Sequence, residues 1–115
     1  MRERPRGARC CGEGTLSSLS TQEAGRLAGD LQVLAHPVRL QLLDILARNE
    51  GQVCVCDLEA ALPVKQPTVS HHLKLLREAG LVDFERHGLW AYYFLKRDAL
   101  AAMRARVAAL LDSLG

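Results

Sequence analysis

"QPTVSHHLKLLREAG", residues 66–80, is the stretch whose reading decides the fold. Pro67 suits the first turn of a helix, where its missing N–H is not needed, and Gly80 suits a left-handed stop. Between them Val69, Leu73 and Leu76 recur at helical spacing with His72 beside them, so this side faces a core. Pro67, His71 and Lys74 point the other way, flanked by Thr68 and Ser70, and no acid occurs before Glu78. Just upstream, "VCVCDLEAAL" (53–62) predicts a short helix over about 55–62, stopped by Pro63. A short helix, a tight turn and a longer helix with a polar, basic outer face make a helix-turn-helix.

Working outward, "LVDFER" (81–86) and "LWAYYFL" (89–95) are rich in β-branched and aromatic residues. The dipeptide His87-Gly88 between them predicts a two-residue hairpin turn. Asp98 is expected to cap a last helix, in which Leu100, Met103, Val107, Leu110 and Leu114 step by 3, 4, 3 and 4. That is a coiled-coil-like seam and a candidate dimerisation surface; packing against its own domain is the alternative. On the N-terminal side, Ser20 and Glu23 have capping-box spacing ahead of a helix carrying Leu27, Leu31 and Leu34. Pro37 opens a second helix through Leu42 and Leu46, with His36 read as the residue at its start. The fold class is therefore mainly α with a small β-hairpin, a winged helix-turn-helix. Residues 20–115 form the folded unit, and residues 1–19 are read as a flexible basic tail with Arg2, Arg4, Arg6 and Arg9.

The 115 residues fit one domain, and 49% hydrophobic with 24% charged residues is the balance of a soluble globular protein. No apolar run approaches the roughly 20 residues needed to cross a bilayer. The first residues carry no apolar secretory segment, so a cytoplasmic location is expected. Double-stranded DNA is the expected partner, without a membrane or a small-molecule substrate. The net charge of +2 is uninformative alone, but the run from Lys65 to Arg77 holds only positive charges. Helix-turn-helix geometry brings the start of the second helix into the major groove. Candidate DNA contacts are Lys65, Gln66, Thr68, Ser70, His71 and Lys74, with Arg86 and His87 at the wing tip touching phosphate or the minor groove. His72 faces inward and is read as packed.

Four cysteines remain, Cys10, Cys11, Cys54 and Cys56. In a reducing compartment such thiols bind metal or react rather than form structural disulfides. Soft thiolates select soft ions such as As(III), Cd(II), Pb(II) or Zn(II). Cys54 and Cys56 lie near the start of a helix, two residues apart, and on a helix residues i and i+2 point to different sides. Cys54 therefore ranks as the better ligand and Cys56 as the one more suited to burial. The helix N-terminus and nearby arginines are expected to lower the thiol pKa values. No C-x-x-C, phosphate-binding glycine loop or nucleophile–base pair points to an enzyme.

The segments "LAHPVRLQLLDIL" (34–46), "CVCDL" (54–58), "QPTVSHHLKLLREAGLV" (66–82) and "RHGLWAYYFL" (86–95) resemble the ArsR/SmtB family of metal- and metalloid-responsive repressors. The likeness covers about residues 31–95 and is specific as a set. It implies a homodimer, built on the first and last helices, that binds a palindromic operator and leaves it when its inducer binds. It also implies an ion site around Cys54 to Asp57. Relatives that sense arsenite with this helix alone carry a third cysteine where Glu59 stands here, so Cys10 and Cys11 of one protomer's tail would complete a site with Cys54 of the other. As(III) is the expected inducer, with Cd(II), Pb(II) or Zn(II) as alternatives and a thiol-redox switch as another. A departure stands at Lys65, often serine in relatives, which leaves operator preference open. No histidine follows His87, which sets aside a zinc site on the final helix.

Overall fold

Ser20 caps the first helix. Its hydroxyl accepts the Glu23 amide at 3.0 Å while the Glu23 carboxylate accepts the Ser20 amide at 2.9 Å, so the expected capping box opens α1 (Thr21–Leu34). The computed structural model describes residues 17–115; most of the basic tail, with Cys10 and Cys11, lies outside the described residues. Pro37 begins α2 (Pro37–Arg48), and His36 caps it, its Nδ1 accepting the Val38 amide at 3.1 Å. A two-residue strand β1 (Val53–Cys54) runs directly into α3 (Val55–Ala61), and α4 (Gln66–Glu78) follows. Gly80, at φ +81°, ends α4 as its glycine suggested.

Strands β2 (Val82–His87) and β3 (Trp90–Leu95) form the wing and lead into α5 (Arg97–Ser113). The sheet has the order β1-β3-β2, antiparallel throughout. Two expectations shift here. His87 pairs with Trp90, so the turn is Gly88-Leu89, one residue later than expected, with Gly88 taking the positive φ of +65°. Asp98 is not the N-cap of the last helix; Lys96 is, and Asp98 sits in the first turn, accepting the Ala99 amide at 2.9 Å. There a carboxylate still complements the helix dipole. No helix among the described residues is long and apolar enough to cross a membrane.

The core sits under α4. Leu42 and Leu46 from α2, Leu58 from α3, and Val69, Leu73 and Leu76 from α4 meet Leu81 and Val82 with almost no exposed surface. Each such side chain contributes about 1.5–3 kcal/mol by leaving water. Met103 of α5 joins this cluster at 5% exposure, and Leu100 and Val107 pack against it. Met103 thus serves the chain's own core rather than standing free on the α5 seam. Leu110 is half-buried and Leu114 exposed. Arg106 clamps α5 to α1 through two bonds to the buried Asp30, at 2.9 and 3.1 Å.

Arg39 ties three elements together. Its Nε and Nη2 donate to the Val33 and Gln32 carbonyls at the end of α1, and its Nη1 donates to His72 Nδ1 on α4 at 3.1 Å. Because a guanidinium only donates, His72 Nδ1 must be unprotonated. Burial pushes the His72 pKa below its usual 6.5, and the charges of His36, Arg39 and His71 push the same way. With the folded value below the unfolded one, stability is present above the unfolded pKa and declines as pH falls toward the folded value. We expect His72→Gln, which keeps an acceptor for Arg39, to show a smaller loss of unfolding free energy on acidification through 6.5. Urea midpoints measured across that range, natural chain against variant, check it.

Candidate metal centre and nucleic-acid interface

The outer face of α4 is built as the sequence pattern required. Lys65 is the N-cap, Pro67 stands in the first turn, and no acid occurs there. Gln66, Thr68, Ser70, His71 and Lys74 are exposed, as is Lys65, while Val69, His72, Leu73 and Leu76 are buried. Arg86 and His87 are exposed at the end of β2. The Arg86 guanidinium lies 5.7 Å from the Phe84 ring, and Arg77 stacks on the same ring at 4.5 Å. His87 leans on Tyr92 with centroids 5.6 Å apart and faces Glu85 at 3.9 Å, so the wing tip is less purely basic than its sequence suggested.

The thiols sit at a junction. Cys54 ends β1, pairing with Tyr92 of β3, and at φ −100°, ψ 171° it is also the N-cap of α3. Asp57 Oδ2 accepts the Cys54 amide at 3.0 Å and the Cys54 thiol at 3.3 Å. The sulfurs of Cys54 and Cys56 and a carboxylate oxygen of Asp57 lie within 4.8 Å of one another. The helical argument that separated the two thiols fails because Cys54 is extended, outside the helix. Their burial is also the reverse of expectation: Cys54 is buried and Cys56 exposed.

The expected pKa lowering does not hold at Cys56. Its thiol is pushed up, chiefly by the hydrogen bond with Cys54, then by desolvation and the neighbouring Cys54 and Asp57 charges; the Asp57 amide opposes this and loses. A negative charge on Cys56 is thus disfavoured beside Cys54 and Asp57 until a cation replaces its proton.

A crevice of about 240 Å³ opens beside the thiols. Gln66 of α4 and Arg86, Leu89 and Trp90 of the wing line its other walls. Candidate ion ligands and two candidate DNA contacts therefore share one hollow. The resemblance set the ion site around Cys54 to Asp57, but sequence reasoning named only cysteines as ligands and did not use the capping-box spacing of Asp57 to Cys54. It also missed Leu89 and Trp90, which nothing local connects to the cysteines. Cys10 and Cys11 lie outside the described residues.

Residues 36–83 match the model of the bacterial regulatory protein arsR family. The chain is 40% identical over 90 residues to a transcriptional repressor SmtB homolog of Synechocystis, covering 78% of this chain and 67% of that protein. It is 39% identical over 80 residues to the arsenic resistance transcriptional regulator ArsR1 of Pseudomonas putida, covering 70% and 62%. A cadmium resistance transcriptional regulatory protein, CadC of Listeria innocua, is 32% identical over 80 residues, covering 70% and 66%. Among solved structures, a possible transcriptional regulator for arsenical resistance superposes with a TM-score of 0.62 at 37% identity, covering 75% of this chain and 83% of that one.

Among the described residues, the Asp57 carboxylate alone holds the Cys54 amide through a side chain. Asp57→Ala should therefore lower unfolding free energy by about 1 kcal/mol, the usual cost of a lost helix cap. Denaturant unfolding of the variant measures this directly.

Proposed function

The chain belongs to the arsR family of bacterial regulatory proteins, and from that premise we propose that it is a repressor whose DNA grip is released by As(III) or Sb(III) on cysteine thiolates. The family is one of transcriptional regulators, not enzymes. The observation that carries the reading is the convergence of Cys54, Cys56 and Asp57, with both thiols on a crevice shared with Gln66 and Arg86. Cys54 and Cys56 supply two sulfurs, and Cys10 or Cys11 of the partner protomer's tail supplies the third. Lys65, Gln66, Thr68, Ser70, His71 and Lys74 read or grip the operator, with Arg86 and His87 on flanking phosphate.

The working unit is a homodimer through α1 and α5. What supports this is the apolar surface these helices leave open: Leu31, Leu111 and Leu114 are 45%, 60% and 72% exposed. A groove lined by Leu34, Leu100, Val107 and Leu111 lies between them. In such a dimer the ion and the operator prefer different spacings of the two α4 helices, and each weakens the other by one factor. Cd(II) or Pb(II) is the second reading, favoured by the Asp57 oxygen, which suits a mixed sulfur–oxygen shell better than a pyramid of three sulfurs.

The test is titration of a labelled operator complex with arsenite, cadmium and lead. Arsenite should weaken operator binding by about 5- to 150-fold, the usual span of allosteric coupling. Cys54→Ser should abolish the response, and the double variant Cys10→Ser/Cys11→Ser should blunt it severely. An unchanged arsenite response in that double variant rules out the shared site. Lys74→Ala should weaken operator and unrelated DNA alike and reduce the salt slope by about 1.

A further inference from the structure

Leu89 is 93% exposed and Trp90 55% exposed, two large apolar side chains at a hairpin tip. The wing's backbone asks for no large apolar side chain at either place, because the turn's positive φ falls on Gly88 and Trp90 pairs with His87 through its main chain. Both line the crevice into which Cys54 and Cys56 open, and Val55 and Ala91 add further apolar wall. The site thus pairs a dithiol with an aromatic and aliphatic surface.

Resting on the reading that Cys54 and Cys56 hold the inducer, we propose that this crevice admits a trivalent arsenical bearing one apolar organic group, bound by these two thiols without any tail cysteine. Arsenic(III) forms three bonds. In R–As(OH)₂ one goes to carbon and two to hydroxide. Exchange with the two thiols forms two As–S bonds, breaks two As–O bonds and releases two waters. Arsenic stays trivalent, and no oxidant or reductant is needed.

Inorganic arsenite, by contrast, needs a third sulfur, which the described residues do not offer. The third donor beside the thiols is the Asp57 oxygen, already holding the Cys54 amide at 3.0 Å. A carbon substituent removes the need for it. The space is adequate for an aryl group: a cavity of roughly 150 Å³ suffices for benzene, and this one measures about 240 Å³. With the ring against Trp90, Gln66 and Arg86 form the polar walls of the same crevice. The bound group then fills the hollow between the start of α4 and the wing, and those two side chains lose their approach to DNA.

Trp90 is the sole tryptophan of the chain, so its emission reports on the crevice directly. The experiment uses the full chain and its Cys10→Ser/Cys11→Ser variant, titrated with phenylarsenous acid, methylarsenous acid and arsenite. Trp90 emission and release of labelled operator are read together. Phenylarsenous acid should act on both proteins at closely similar midpoints, whereas arsenite acts only on the natural chain. Trp90→Ala or Leu89→Ser, both at exposed positions, should raise the phenyl midpoint roughly tenfold relative to the methyl one in operator release. A phenyl response that requires Cys10 or Cys11 overturns the proposal, as does a phenyl-to-methyl ratio that neither wing variant changes. An arsenite response indifferent to Cys10 and Cys11 instead strikes the shared-site reading and leaves the two-thiol one standing.

Discussion

One residue carries two structural duties, and the rest of the site depends on the bond that lets it do so. Cys54 closes a strand against Tyr92 and, without an intervening loop, caps α3. A chain that changes from extended to helical at a single residue leaves the amide at the junction unpaired unless a side chain reaches back. Asp57 does this at 3.0 Å and draws the thiol in at 3.3 Å. That contact fixes the direction in which α3 leaves the sheet. Leu58, fully buried one residue later, locks the same direction from the core side. The short helix therefore cannot turn about its axis independently of the wing.

Helix α4 is positioned with similar economy. Its buried face supplies Val69, Leu73 and Leu76 to the core, which fixes its depth. Apolar packing is tolerant of rotation about the helix axis, because several leucine arrangements fill a volume almost equally well. Arg39 removes that tolerance. A planar fork bonded to two carbonyls at the end of α1 and to the ring of His72 accepts only one orientation of α4. The end of α1 is thus rigidly referenced to the helix whose outer face is polar and basic. On the dimer reading, a change in how α1 meets a second protomer would be passed to α4 through this fork.

How much of this was legible in sequence follows from the range of each interaction. Ser20 with Glu23, Pro37 behind His36, and Gly80 after α4 act within a few residues, and each element starts or stops where those residues said. The hairpin was visible, but its turn slipped by one because Gly88 could serve as either central residue. Asp98 resembled a cap, yet Lys96 took that place, and both choices leave a carboxylate in the first turn. β1 has only two residues, too few for any period to register, and missing it misplaced Cys54. A cysteine placed on a helix should point away from its i+2 neighbour; a cysteine in a strand, next to the helix, need not. The inverted burial of the two thiols and the rise in the Cys56 pKa follow from that one omission. The crevice was beyond reach altogether, since Leu89 and Trp90 meet Cys54 only because β3 lies between β1 and β2.

That sheet order bears on how an ion could act on DNA at all. An effector shifts an equilibrium only to the extent that it interacts differently with the two states. Thiols buried in a rigid core would bind the same way in both, and thiols on a remote surface would not sense either. Here Cys54 is hydrogen-bonded into the wing through β3 and leads into α3, the helix that precedes α4. An ion that draws Cys56 toward the buried Cys54 must work against the Asp57 cap, the β1–β3 pairing or both, and either change alters the hollow bounded by Gln66 and Arg86. On the reading that Gln66 and Arg86 touch operator, bound DNA opposes the same displacement. Reciprocity then needs no long pathway through the molecule, because the competing demands meet on the walls of a single crevice.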